Sequence, residues 1–397
     1  MLTKALALQD EIVRLRRTIH ANPELSFQEY QTAALVADTL AEIGGYKVRT
    51  QVGKTGVVAE LGESGPLIAI RADMDALPIV EANDVPYRST RPGVMHACGH
   101  DAHTAILLGV AHLLRQSYAE ESWQGRVRLL FQPSEEAADE NNISGATAMI
   151  DDHALDGIDA VIALHVASDK PSGHFMFHDG PSLAAVDSFE ARIRGDGAHG
   201  AYPHTGSDPL YMLAPILTAL YAIPSRRINP IYPCVVSLGR VCGGSASNVI
   251  PNEVALSGTL RSMLPEVREQ LWVEVENALR MSELMGGSYE LVIDKGYPVL
   301  VNDPEANDWM RQVTSDLLGP AAVVGSRPAM GAEDFAYMTQ KAKGAMFMLG
   351  AAIPEGPVRH HHTSIFDIDE SVLASGAAVL AETARRYVTS GFTSSGE

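Results

Sequence analysis

Apolar residues recur at three- and four-residue spacing in two stretches near the start of the chain, ALALQDEIVRLRRTI and QTAALVADTLAEIGG. That period puts them on one face of a helix, and two amphipathic helices are predicted. Pro23, in the break His20–Glu24, separates them, and Gly44-Gly45 stops the second. Beyond residue 55 the pattern shortens. GVVAELG and PLIAIRADMD read as strands, AILLGVAHLLRQ as a helix, RVRLLFQP as a strand, ATAMIDDHAL as a short helix and DAVIALHV as a strand. Strands alternating with helices predict an open α/β sheet, mostly parallel with some antiparallel members and flanked by helices.

The texture changes near residue 186. SFEARIRGDGAHG, CVVSLGRVCGG, EVALSGTLRS and YELVIDKG read as strands, and YMLAPILTALYAIP and EVREQLWVEVENALRMSE as helices. This is the content of a compact α+β insert. After it, DPEANDWMRQVTSDLLG (helix), AMFMLGAA (strand) and DESVLASGAAVLAETARRYV (helix) restore the first texture. The expectation is a discontinuous catalytic domain, 1–186 and 297–397, interrupted by a smaller domain at 187–296. The tail SGFTSSGE is expected to be disordered.

A chain of 397 residues with 46% apolar composition has enough hydrophobic matter for two cores. Its formal net charge of −19 repels phosphate backbones, so no nucleic-acid partner is expected. The three cysteines, Cys98, Cys234 and Cys242, are too few and too odd for a disulfide scaffold and fit a reducing compartment. The N-terminal stripe carries charges throughout, unlike a secretory leader, and no apolar run reaches the roughly 18 residues that span a bilayer. A cytoplasmic enzyme with no membrane partner is the expectation.

In open α/β sheets, sites form beyond the carboxyl ends of the strands. Three apolar runs here lead into metal-capable residues: PLIAI into Asp73 and Asp75, RLLF into Glu135 and Glu136, and DAVIAL into His165. MHACGHDAH adds Cys98 and His100 just before an apolar helix, with Gly99 letting the backbone turn so that both face one point. Thiolate, imidazole and carboxylate are the donors of zinc and its first-row neighbours. Glu135-Glu136 follows thirty-five residues after His100, where Pro133 ends a strand. Adjacent side chains diverge in a turning segment, so one carboxylate can bind metal while the other serves as general base. Taken alone, the pair also suits a solvated helix start; the Cys-Gly-His signal decides for chemistry. His96, His103 and Asp101 read as supporting groups. In the run His360-His361-His362 at least one member completes a site, and the residues alone do not choose which. His199 sits in a glycine-rich loop, GDGAHGAYPH, which is equally the pattern of a plain surface loop. Asn248 is simply polar near a strand, and Arg261 suits a bidentate grip on a carboxylate.

In this order, MHACGHDAH, FQPSEEA, DAVIALHV, GAHGAYPH, SNVIPNE, MGAEDFAYM and HHTSIFDIDE resemble the zinc aminoacylase and carboxypeptidase family of metallopeptidases, and within it the amidohydrolases acting on hippurate, N-acyl amino acids and indole-acetyl amino acids. The resemblance runs from about residue 11 to 385. It implies two divalent metal ions (zinc, manganese, cobalt or nickel) in the catalytic domain and a smaller lid domain that pairs subunits into a homodimer or higher homo-oligomer. Carried over by motif, it implies Cys98, His100, Glu136, His165 and His362 as ligands, with Cys98 bridging; His362 stands four residues before Phe366, as the family's terminal ligand does. It implies Glu135 as general base, His199 as an oxyanion donor reaching a partner subunit's site, and Asn248 and Arg261 as contacts to an N-acyl amino acid. Where many relatives carry His-x-Asp, this chain has Asp73-Met74-Asp75, leaving Asp75 as an orienting group. The segment AADENNISG, 137–145, and the histidine triplet are atypical. Dipeptidase or carboxypeptidase activity, hydrolytic deamination of an aromatic amine, and a non-enzymatic metal-binding role are the alternatives.

Overall fold

The computed structural model describes residues 1–389 and Phe392; most of the tail SGFTSSGE lies outside the described residues. The chain divides into two compact units. The first comprises Met1–Gly180, Val301–Arg327 and the described residues from Tyr337 onward; the second comprises Pro181–Leu300 and Pro328–Ala336. The sequence boundaries at 187 and 296 fall within the main span of the second unit. The short return at 328–336, grouped by sequence with the catalytic part, packs with the second unit instead. Ala184 N donates to Gly331 O at 2.8 Å and Ala329 N to Ser182 O at 2.9 Å.

The first unit is built on an eight-stranded mixed sheet. Its order is Lys47–Val52, Gly56–Leu61, Arg126–Gln132, Leu67–Asp73, Ala160–Pro171, Lys343–Ala352, Phe175–Phe177 and Val323–Gly325. The four central strands, Arg126–Gln132 through Lys343–Ala352, run parallel. Leu67–Asp73 is buried at every position, the near-continuous apolar pattern of a strand covered on both faces. Among the covering helices are Gln9–Ala21, Tyr30–Ile43, His100–Glu121, Pro304–Leu318 and Leu373–Thr389. His100–Glu121 is buried along most of its length, which its sequence AILLGVAHLL foreshadows. The predicted α/β class is therefore the fold. Three strands of this sheet escaped the sequence reading: Lys47–Val52, an edge strand exposed at five of six positions, and the three-residue Phe175–Phe177 and Val323–Gly325. None is long or apolar enough to announce itself by periodicity.

The second unit is a four-stranded antiparallel sheet, Cys234–Gly243, Glu253–Ser262, Ala185–Arg194 and Ser288–Lys295, with helices that include Pro209–Arg226 and Pro265–Leu279. Burial along Ala185–Arg194 alternates strictly from Asp187 onward, as one face packs on the core and the other meets water. Among the described residues no helix is long and apolar enough to cross a membrane.

Candidate active site

The donors gather at one rim of the large sheet, and each is brought there by a different local device. Gly99 has φ +94° and precedes the helix that starts at His100. A Cβ there would lie 2.3 Å from Val166 Cγ2, so only glycine lets the Cys98–His100 corner close against the neighbouring strand. Leu67–Asp73 ends just short of Asp75, and Arg126–Gln132 ends just short of Glu135 and Glu136. His165 corrects one expectation: it is not a strand terminus but lies midway along Ala160–Pro171. Pairing with Leu67–Asp73 stops at Arg71↔Ala163, while pairing with Lys343–Ala352 continues past Met348↔His165. The histidine thus clears its shorter neighbour while its own strand runs on.

Cys98 stands between two donor groups. Its Sγ lies 3.5 Å from His165 Nε2 and 3.7 Å from His361 Nδ1. Cys98, His165 and His361 offer atoms within 4.8 Å of one another, as do Cys98, Glu136 and His362, and also His100, Glu135 and Glu136. Of the triplet, the structure brings both His361 and His362 to the cluster. His362 takes φ +59°, holds its N–H on Ala97 O at 2.8 Å and places Nε2 3.2 Å from Glu136 Oε1. His361 is pinned otherwise, with Nε2 accepting weakly from Ser168 N at 3.4 Å.

The imidazoles are set for ligation. His100 Nδ1 donates to Asp75 O at 2.8 Å, and its buried Nε2 has no hydrogen-bond partner. His165 Nδ1 donates to Val166 O at 2.7 Å, which turns the lone pair of Nε2 toward Cys98. A ring nitrogen fixed by a carbonyl while the other points into a cluster is how proteins hold metal-binding histidines. Burial and its neighbouring histidines push His165 well below the ordinary range, keeping it neutral. Burial also works against a charge on His100, but Asp73, Asp75 and Glu136 overcome it and raise the ring to about 10. Burial, then Glu136 and Glu135, push the Cys98 thiol well up. Carboxylates thus act on both the thiol and the ring. Glu136 Oε1, buried and without a well-formed hydrogen bond, adds another open donor. Open donors of soft and borderline type beside carboxylates fit divalent cations.

His103 lies among the ring cluster, within reach of His100 and His165. Its Nδ1 donates to Asp73 Oδ1 at 2.6 Å and its Nε2 accepts from Val166 N at 2.9 Å, so both nitrogens are spent. The expectation of a supporting role thus has a geometric basis. Asp75 makes the widest set of contacts. Besides His100, it accepts from Glu135 N (Oδ1, 3.0 Å), Glu136 N (Oδ2, 3.0 Å) and Ser26 Oγ (2.7 Å).

Three features went unread in the sequence. Glu29 is fully buried and accepts from Ser134 N and Phe27 N, each at 2.9 Å, and from Thr55 Oγ1 at 2.5 Å. Burial and the nearby Asp75 raise it to about 7. Arg16, also fully buried, reaches Asp101 (2.8 Å), Asp367 (2.9 Å) and Glu370 (3.0 Å). His20 joins the same group, 2.7 Å from Asp101 and 3.2 Å from Glu81. This network ties the first turn of the helix bearing His100 to the N-terminal helix and to the segment after His362. Each acid looks like an ordinary helix-end or loop residue in sequence, and the pairings span 61 to 354 positions.

The remaining candidates belong to the second unit. His199 lies in a two-residue strand opposite Val249, is exposed, and accepts from Ala201 N on Nδ1 at 3.0 Å, leaving Nε2 to carry the hydrogen. Asn248 is its neighbour, its carbonyl accepting from Gly200 N at 2.8 Å. Arg261 lies half-buried on Glu253–Ser262 and donates to Thr259 Oγ1 at 2.5 Å and Leu260 O at 3.2 Å. Burial lowers its pKa, and Asp187 opposes that shift.

A cluster of this kind suits a divalent-metal hydrolase, and the family match below shows that class. The comparisons narrow it. Residues 69–386 match the model of Peptidase family M20/M25/M40, and the chain belongs to that family. It is 40% identical over 389 residues to the N-acetyl-L-cysteine deacetylase of Bacillus subtilis, covering 96% of this chain and 89% of that one. It is 38% identical over 386 residues to thermostable carboxypeptidase 2 of Saccharolobus solfataricus, covering 96% of each. Among solved structures, the Bacillus subtilis YXEP protein, described as a dinuclear metal binding peptidase from the M20 family, superposes with a TM-score of 0.82 at 33% identity, covering 95% of this chain and 97% of that one.

Proposed function

We propose that this enzyme hydrolyses the amide bond of N-acyl amino acids, releasing a carboxylic acid and the free amino acid. The observation that carries the reading is the pair Glu135-Glu136, whose backbone amides are both held by Asp75 beside the unpartnered Nε2 of His100. Kinship with a deacetylase of an N-acetyl amino acid supports the substrate class.

Two divalent ions would be held by Cys98, His100, Glu136, His165 and His362. When bound they supply electrophilic activation of the amide carbonyl and of the attacking water. Glu135 takes the proton from that water and delivers it to the departing nitrogen, acting first as base and then as acid. Asp75 fixes its backbone, so the carboxylate moves only by its own rotations. His199 carries its hydrogen on Nε2 and donates it to the developing oxyanion; it comes from the second unit of a paired subunit, in a homodimer. Arg261 grips the substrate carboxylate through its fork, and Asn248 contacts the acyl-amide portion. Three unpaired cysteines support a reducing, cytoplasmic setting.

Kinship with a carboxypeptidase favours a second reading, in which the scissile amide is the last peptide bond of a short peptide. One panel separates the two. Amine release is measured from N-acetyl, N-benzoyl and indole-acetyl amino acids and from unblocked dipeptides, with divalent metal and with chelator. Chelator-sensitive release from the acyl amino acids is the expected outcome. Release confined to the dipeptides would overturn it in favour of the peptidase.

A further inference from the structure

The turn that aims Glu135 is strained and is held from outside its own strand. Ser134 has φ +48°, a left-handed conformation that a non-glycine residue adopts only when its surroundings impose it. Four bonds impose it here. Ser134 Oγ donates to Ala137 O at 2.6 Å, Gly145 N donates to Ser134 O at 2.9 Å, and Ser134 N donates to Glu29, 105 positions earlier. The next residue, Glu135, hands its own N–H to Asp75. Three successive amides, of Ser134, Glu135 and Glu136, thus end on two buried carboxylates.

Glu29 is the unusual member. Its partners are two backbone amides and a threonine hydroxyl, and among the described residues it has no ion pair. A buried carboxylate without a cation is costly, and stability alone does not call for one. What it offers is reach and two oxygens: one holds both Phe27 N and Ser134 N, while the other meets Thr55 in the hairpin at 53–55. It ties two neighbouring loops to the one residue whose conformation points Glu135 into the cluster.

We propose that Glu29 is a positioning residue for the reaction: it clamps Ser134 in the left-handed turn and thereby sets the direction of the Glu135 carboxylate. The proposal rests on the reading of Glu135 as the general base. It asks for reach rather than charge, so two variants divide the possibilities. Glu29→Gln keeps the oxygen that accepts from Ser134 and Phe27. Glu29→Asp keeps the charge but withdraws it by one methylene.

The test is kcat, KM and metal per chain for both variants, with Glu135→Gln measured alongside. Misplacing a reacting group by about an ångström costs on the order of 10²-fold. Glu29→Asp is expected to lose roughly 10- to 100-fold in kcat with KM and two ions per chain retained, and Glu29→Gln to stay within a few-fold of the parent. Normal turnover in Glu29→Asp, or equal losses in both variants, would overturn the clamp. If Glu135→Gln turns over normally while Glu29→Asp does not, the base assignment is what fails. An inert Glu135→Gln beside a normal Glu29→Asp sinks the clamp alone.

Discussion

The proposed catalytic groups fall into two sets held in opposite ways. In the first unit, His100, Glu135 and Glu136 are buried or nearly so and are tied to segments far away in sequence. In the second, His199 is exposed, rests on an amide two residues away, and lies on a strand only two residues long. Ligands of a metal pair must keep distances within tenths of an ångström, which needs cross-linked, water-excluding surroundings. A group that stabilises a developing charge has to admit substrate first, and exposure on a short loop permits that. The contrast separates what must be built in advance from what is supplied when the substrate arrives.

The sharpest way to test this division is Glu135→Gln. The variant is expected to bind two ions as the parent does and to lose at least about 10³-fold in kcat, because the isostere cannot accept the proton. Metal analysis together with turnover checks it; loss of metal would mean that Glu135 belongs to the ligand set. A smaller effect is expected on the exposed side. His199→Ala should lose on the order of 10²–10³ in kcat, leave metal content and thermal stability untouched, and recover part of its activity when mixed with Glu135→Gln. Absence of any recovery on mixing would count against a site shared between subunits.

The smallest effect concerns stability and pH. Glu29 is raised from 4.5 to about 7, so the folded, metal-free protein holds a proton there that the unfolded chain has lost. Stability should therefore fall as pH rises between about 4.5 and 7. Glu29→Gln removes that dependence. In metal-free denaturant unfolding the variant should match the parent near pH 4 and exceed it at pH 8, by roughly 3 kcal/mol at most. Equal curves at pH 8 would show that the parent carboxylate is not penalised by burial.

The sheet was legible because its central strands are covered on both faces and write themselves as apolar runs. The rim residues were legible because such runs stop at Asp75 and Glu135. Neither signal exists for Glu29 or Arg16. Each lies at a helix end or on a helix rich in charges, and nothing local distinguishes a buried carboxylate from a solvated one. Their partners are set by the tertiary fold, as with the 328–336 return to the second unit. His361 was obscured differently: three identical neighbours carry no phase, and only the left-handed turn at His362 lets two of them face inward.

Asp75 has one further consequence. Its carbonyl fixes His100 and its two carboxylate oxygens fix Glu135 and Glu136, so these four residues form a single mechanical linkage. A drift in any one drags the others. Descendants of this sequence are thus denied gradual retuning of the reaction centre. Positions outside the linkage, such as the exposed Glu140, carry no such coupling to it.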